Sequence, residues 1–153
     1  SCSHKHLLGW EALLSIYLKD ATLGGHSNPE MLRMALQRAH FLDKLGSVVA
    51  VDGNQKESLF LVGMFSLLEV ILKTPMAIIL KDLPLSENLK SALLKEEGEY
   101  INYLYLSEAI EKFDFEKAEN YSDILNISGE VVLEAFQDAS EMSDYLMNQA
   151  SLV

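Results

Sequence analysis

The segment Lys56–Lys73, KESLFLVGMFSLLEVILK, limits what this chain can fold into. Leu59, Phe60, Leu61, Val62, Met64, Phe65, Leu67, Leu68, Val70, Ile71 and Leu72 leave no polar face at helical period. A helix that is apolar all round must be buried, in a bundle or in a bilayer. A bilayer span needs about 20 apolar residues. The run Leu59–Leu72 is shorter and carries Gly63, Ser66 and Glu69. The expectation is therefore an all-α bundle around a buried central helix at about 56–73. Gly63 and Ser66 are small and one turn apart, so a second helix backbone can approach there. A glycine inside a helix costs about 1 kcal/mol against alanine, which close packing would offset.

Helical signals flank this segment on both sides. Leu7, Trp10, Leu14, Tyr17 and Leu18 recur at spacings of three and four, which predicts a helix over His6–Asp20. Gly24-Gly25 breaks it. Ser27 or Asn28 can cap a second helix, with Pro29 in its first turn. That helix is expected to run to about Lys44, with Leu32, Ala35, Ala39 and Leu42 inward and Gly46 as its stop. Val48–Val51 is a short apolar run, and Asp52-Gly53-Asn54 reads as a turn. Thr74-Pro75 restarts a short helix, Met76–Lys81. Leu83-Pro84-Leu85 is extended, because the residue before proline avoids the helical region. Ser86 caps a helix through about Lys95. Further helices are expected over Tyr100–Phe113, Phe115–Asn120 and, capped by Ser128, Gly129–Gln149. The inward stripe of the last is Val132, Phe136, Ala139, Met142 and Leu146.

At 153 residues, 49% of them hydrophobic, the chain suits a single packed domain. Its one cysteine, Cys2, cannot form an internal disulfide, and no secretory leader pattern opens the sequence. A reducing, cytoplasmic location is the expectation. The net charge of −11 is carried entirely by residues 86–153, which hold four Lys and fifteen Asp/Glu. That excludes a phosphate-neutralising surface, so neither nucleic acid nor an anionic membrane is an expected partner.

Residues patterned for chemistry are few. The histidines are His4, His6, His26 and His40, with no His-Asp dipeptide, no HExxH and no CxxC. No GxSxG elbow, P-loop or dinucleotide fingerprint is present. Glu96-Glu97-Gly98-Glu99 and the pair Glu108 and Glu111 read as a solvated acidic face, since no calcium loop of fixed spacing accompanies them. No catalytic residue, metal or cofactor is expected. Arg38 stands out beside the apolar face of its helix. A half-buried arginine needs a carboxylate or carbonyl partner, and Glu69 on the apolar helix is a candidate. The alternative is that Arg38 reaches solvent.

Taken in order, Leu7-Leu8-Gly9-Trp10, Gln37-Arg38-Ala39-His40-Phe41, the run Leu59–Leu68 and Leu83-Pro84-Leu85-Ser86-Glu87 resemble the C-terminal portion of an HDOD domain. The likeness covers most of residues 7–112. Its motif positions here are Gly9, Trp10, Arg38, Phe41, Gly63, Ser66, Pro84 and Ser86, all read as structural. HDOD, the HD-related output domain, is an all-helical relative of HD phosphohydrolases that generally lacks their metal-binding His and Asp. The resemblance implies a bacterial signalling module joined to an EAL, GGDEF or receiver domain. The helices that precede Leu-Leu-Gly in the family are missing here. The chain is thus read as one helical unit, 1–153, from the C-terminal part of such a domain in a longer protein. A half-exposed core would then be covered by another protomer or by repacking, which makes a homodimer an expected assembly.

Three functional readings follow. The first is a non-catalytic module that passes a signal between domains or to a partner protein. The second is a metal-dependent HD-type phosphohydrolase, which would need His and Asp ligands to activate water. The third is a passive helical cap on a neighbouring domain.

Overall fold

A computed structural model describes residues 29–49, 53–81, 83–98 and 100–151. Among these are eight helices and no strand: α1 Pro29–Val49, α2 Gly53–Phe65, α3 Leu68–Leu72, α4 Met76–Leu80, α5 Glu87–Leu93, α6 Ile101–Glu111, α7 Phe115–Leu125 and α8 Gly129–Ser151. The fold is the all-α bundle expected. The helix predicted over His6–Asp20, with Gly9 and Trp10, and the caps Ser27 and Asn28 lie outside the described residues.

α1 and α2 form an antiparallel hairpin. On α1, Ala35, Ala39, Leu42 and Leu45 are fully buried, at spacings of three and four. α2 buries Leu59, Phe60, Val62, Met64 and Phe65 against them. The closest approach is at Gly63. A Cβ there would stand 2.6 Å from the backbone N and Cα of Ala39, so the packing inferred from Gly63 is present. Gly46 plays a similar part at the other end. Its added Cβ would meet Leu59 Cδ1 at 3.2 Å and Lys56 Cα at 3.3 Å. That contact keeps Gly46 within α1, which continues to Val49 instead of stopping near Lys44. Likewise Gly53 opens α2 and does not sit in a separate turn.

The buried segment is not one helix. It breaks at Ser66-Leu67, where the Ser66 hydroxyl donates to the Gly63 carbonyl at 2.8 Å and accepts from Arg38. Past the break the apolar run is no longer enclosed: Ile71 is buried, but Val70 is 60% exposed.

α8 crosses the other face of α1, running antiparallel to it. The Phe41 and Phe136 rings meet edge to face at 6.0 Å. At the surface of this contact Arg33 pairs with Asp144 at 2.6 Å and Lys44 with Asp138 at 3.9 Å; exposed pairs of this kind contribute only about 0–1 kcal/mol. The inward stripe of α8 is Val132, Ala135, Ala139 and Ser143, with Phe136 and Leu146 half-buried. Met142, expected inward, is exposed, because 3.6-residue periodicity carries the buried line from Ala139 to Ser143. α6 packs on α1, α2 and α7, and α7 extends to Leu125, five residues beyond expectation.

The helix starts follow side-chain capping. Ser86 Oγ accepts from Leu89 N at 3.3 Å and Ser128 Oγ from Val131 N at 3.3 Å, as expected; Asp114 Oδ1 accepts from Lys117 N at 3.2 Å. The stops are less ordinary. Lys73, Lys95, Phe113 and Asn126 all take left-handed φ values of 51–59° just past a helix end, a position where glycine is favoured. Among the described residues no helix is long and apolar enough to cross a membrane.

Candidate functional site

Arg38 lies at the meeting point of α1, α2 and α6 and is 7% exposed. Its guanidinium is engaged on every edge. Nε and Nη2 donate to the two carboxylate oxygens of Glu111 at 2.7 and 2.9 Å, and Nη1 donates to Ser66 Oγ at 3.0 Å. Ser107, one turn before Glu111 on α6, donates to Glu111 Oε2 at 3.0 Å. The result is a two-pronged ion pair, the strong geometry for arginine and carboxylate. It ties residues 38, 66 and 111 together. Both Glu111 oxygens accept hydrogen bonds within the junction.

The carboxylate expected for Arg38 was Glu69. Glu69 is exposed instead, because the helix break at Ser66 changes the direction of everything after it. The acidic face expected at Glu108 and Glu111 also divides. Both are largely shielded, Glu108 at 20% and Glu111 at 17% exposure, and they differ in partner: Glu108 pairs with the exposed Lys95 at 3.0 Å, whereas Glu111 pairs with the buried Arg38. The missed residues, Ser107 and Glu111, did carry a signal. They lie three and seven residues after Leu104, on the apolar face of α6.

The remaining motif positions separate. Gly63 and Ser66 join Arg38 at this junction. Phe41, 1% exposed, belongs to the α1–α8 contact. Pro84 is exposed in the extended link before α5, and Ser86 caps that helix.

A second polar feature lies between α1 and α8. The His40 ring stands edge-on to Phe60 at 5.8 Å, and its Nε2 is buried without a hydrogen-bond partner. Burial holds this imidazole below its usual pKa; Asp43 opposes the shift and Lys44 reinforces it. The adjoining groove, about 420 Å3, is lined also by Asp138, Glu141, Met142 and Tyr145. Among the described residues no group of three or more His, Cys, Asp or Glu is arranged to hold a metal ion.

Known proteins place these features in context. Over 114 residues, 74% of the chain, it is 32% identical to the cyclic di-GMP phosphodiesterase CdgJ of Vibrio cholerae, and the match covers 26% of that protein. Over 140 residues, 91% of the chain, it is 29% identical to the uncharacterized protein YuxH of Bacillus subtilis, covering 33% of it. The chain therefore spans about a quarter to a third of the length of the curated relatives it matches. No family model and no solved structure matches it. What the comparisons establish is homology to one segment of a cyclic di-GMP phosphodiesterase.

Proposed function

We propose that the chain is a non-catalytic, cytoplasmic signal-transduction module of the HDOD type, the C-terminal part of a longer bacterial protein. It would relay an association or conformational state between an adjacent EAL, GGDEF or receiver domain and a protein partner. The observation that carries this reading is the homology to a segment amounting to 26% of CdgJ, together with the ordered HDOD-like motifs. A segment of that size is a domain-scale unit. The Arg38–Glu111 junction supports it, since the best-buried charged pair described here is a closed structural link.

The test is metal content and turnover measured on the purified chain. We expect substoichiometric Mn, Fe and Zn, and no hydrolysis of cyclic di-GMP or of bis(p-nitrophenyl) phosphate after loading with each metal. Stoichiometric metal with phosphodiester cleavage would replace this reading by the hydrolase one.

A further inference from the structure

The surface that such a module would use is not identified by its homology. The structure offers one with a definite chemistry. Between α7 and α8 runs a groove of about 350 Å3. Its floor is apolar and buried, from Ile110, Ala118 and Val132. Its lips are Phe115, 60% exposed, and Leu133, 56% exposed. Glu119 and Asp123 stand along its edge.

An independent feature sits beside it. Phe113 closes α6 in a Schellman arrangement, with Asp114 N donating to Ala109 O at 2.9 Å and Phe113 N donating to Ile110 O at 3.1 Å. Its φ is 57°, in the region that bulky residues avoid. Its side chain is 70% exposed, so burial does not offset the strain. Folding alone would favour glycine there. The ring instead stands 6.3 Å from Phe115 and extends the apolar lip. Strained and exposed aromatic side chains of this kind are found where a surface binds something.

Charge decides what that something is. The charged residues that line the groove are Glu119 and Asp123, with no lysine or arginine among its lining, while Asp138 and Asp144 of α8 pair with α1. Lys117 and the nearby Lys112 line a separate depression with Tyr105 and Tyr121. A second copy of the chain seated symmetrically on this groove would set acidic rim against acidic rim. The chain's own residues 1–28 contain Lys5, Lys19, Glu11 and Asp20, with no net positive charge to offer. An apolar trough between two helices, with an acidic edge along α7, fits a third helix that is apolar on one side and basic on the flank beside Glu119 and Asp123.

We propose that the α7–α8 groove docks a basic amphipathic helix of a partner protein. This rests on the signalling reading and supplies the partner's chemistry.

The test uses fluorescence anisotropy with the full chain and a labelled synthetic peptide of about four helical turns. The peptide carries Leu along one face and Lys elsewhere; a control peptide carries Glu in place of Lys. The Lys peptide is expected to bind and the Glu peptide not. Leu133→Ser and Phe115→Ala should each weaken binding by about tenfold or more. Phe113→Gly should weaken binding while raising the thermal midpoint, which no loss of folding could imitate. Val70→Ser, at an exposed apolar site elsewhere, should leave binding unchanged. The proposal is overturned by absence of binding, by equal binding of both peptides, or by binding indifferent to the groove variants. Self-association in sedimentation that Leu133→Ser abolishes would assign the groove to a second copy. A large fall in the thermal midpoint of the free chain on Leu133→Ser would assign it to residues 1–28. Either result also overturns the proposal. Failure here without hydrolysis removes the groove and leaves the signalling reading, whereas hydrolysis removes that reading whatever the peptide does.

Discussion

Arg38 and His40, two residues apart on α1, behave in opposite ways. Arg38 is buried with every edge of its guanidinium satisfied. Removing its counter-ion should therefore be far worse than removing the pair. Glu111→Ala is expected to destabilise the chain by about 3 kcal/mol, because it strands a buried cation. Arg38→Met combined with Glu111→Leu should cost much less. Urea denaturation of the three proteins measures this, and equal losses in single and double variants would contradict it. His40 is the unsatisfied group. Its folded-state pKa lies below the ordinary 6.5, so the unfolded chain binds its proton more readily. The stability tied to neutral His40 is complete above the unfolded pKa and is lost as pH falls below about 6.5. His40→Phe should thus lose less stability than the parent between pH 7.5 and pH 5, a difference visible in paired thermal melts.

At the scale of elements, the α1–α2 hairpin depends on backbone proximity. Gly63→Ala would place a Cβ 2.6 Å from the Ala39 backbone, which has no flexible side chain to yield. The gain in helix propensity is about 1 kcal/mol. Net destabilisation of about 1–3 kcal/mol is nevertheless expected from overpacking, readable as a drop in the urea midpoint.

Several of these features were legible in the sequence. Gly63 and Ser66 announced a close contact by their size, whereas the place of Arg38 on its helix left two readings open, a carboxylate partner or a reach to solvent, and the first is the one found. Ser86 and Ser128 marked helix starts through their side chains. What stayed hidden were the helix ends and the partner's identity. Gly46 looked like a stop but serves packing, while the actual stops at Lys73, Lys95 and Phe113 have no glycine to mark them. Glu69 was a reasonable partner for Arg38 only on a helix continuous through Ser66. Glu111 was masked by the acidic residues around it, although its spacing from Leu104 and Ser107 placed it on the apolar face.

For the molecule as a whole, charge and core are unevenly distributed. Residues 86–153 carry the entire −11, and α8 has no basic residue among its five carboxylates. Self-repulsion of like charge opposes compaction and is screened by salt over a Debye length of about 10 Å at 0.1 M. Raising NaCl from 20 to 300 mM should therefore raise the thermal midpoint, and a midpoint that fell would mean that the exposed ion pairs such as Arg33–Asp144 outweigh the repulsion.

The junction at Arg38 also has a consequence in time. Its carboxylate partner lies 73 residues further along the chain. At translation rates of about 5–20 residues per second, Arg38 is synthesised some 4–15 s before Glu111. The α8 face that covers Phe41 is made later still. During that interval the nascent hairpin has an unneutralised guanidinium where its core will close. The ribosome thus delivers the beginning of this bundle well before the chain contains what is needed to seal it, and a nascent-chain chaperone would meet it in that open form.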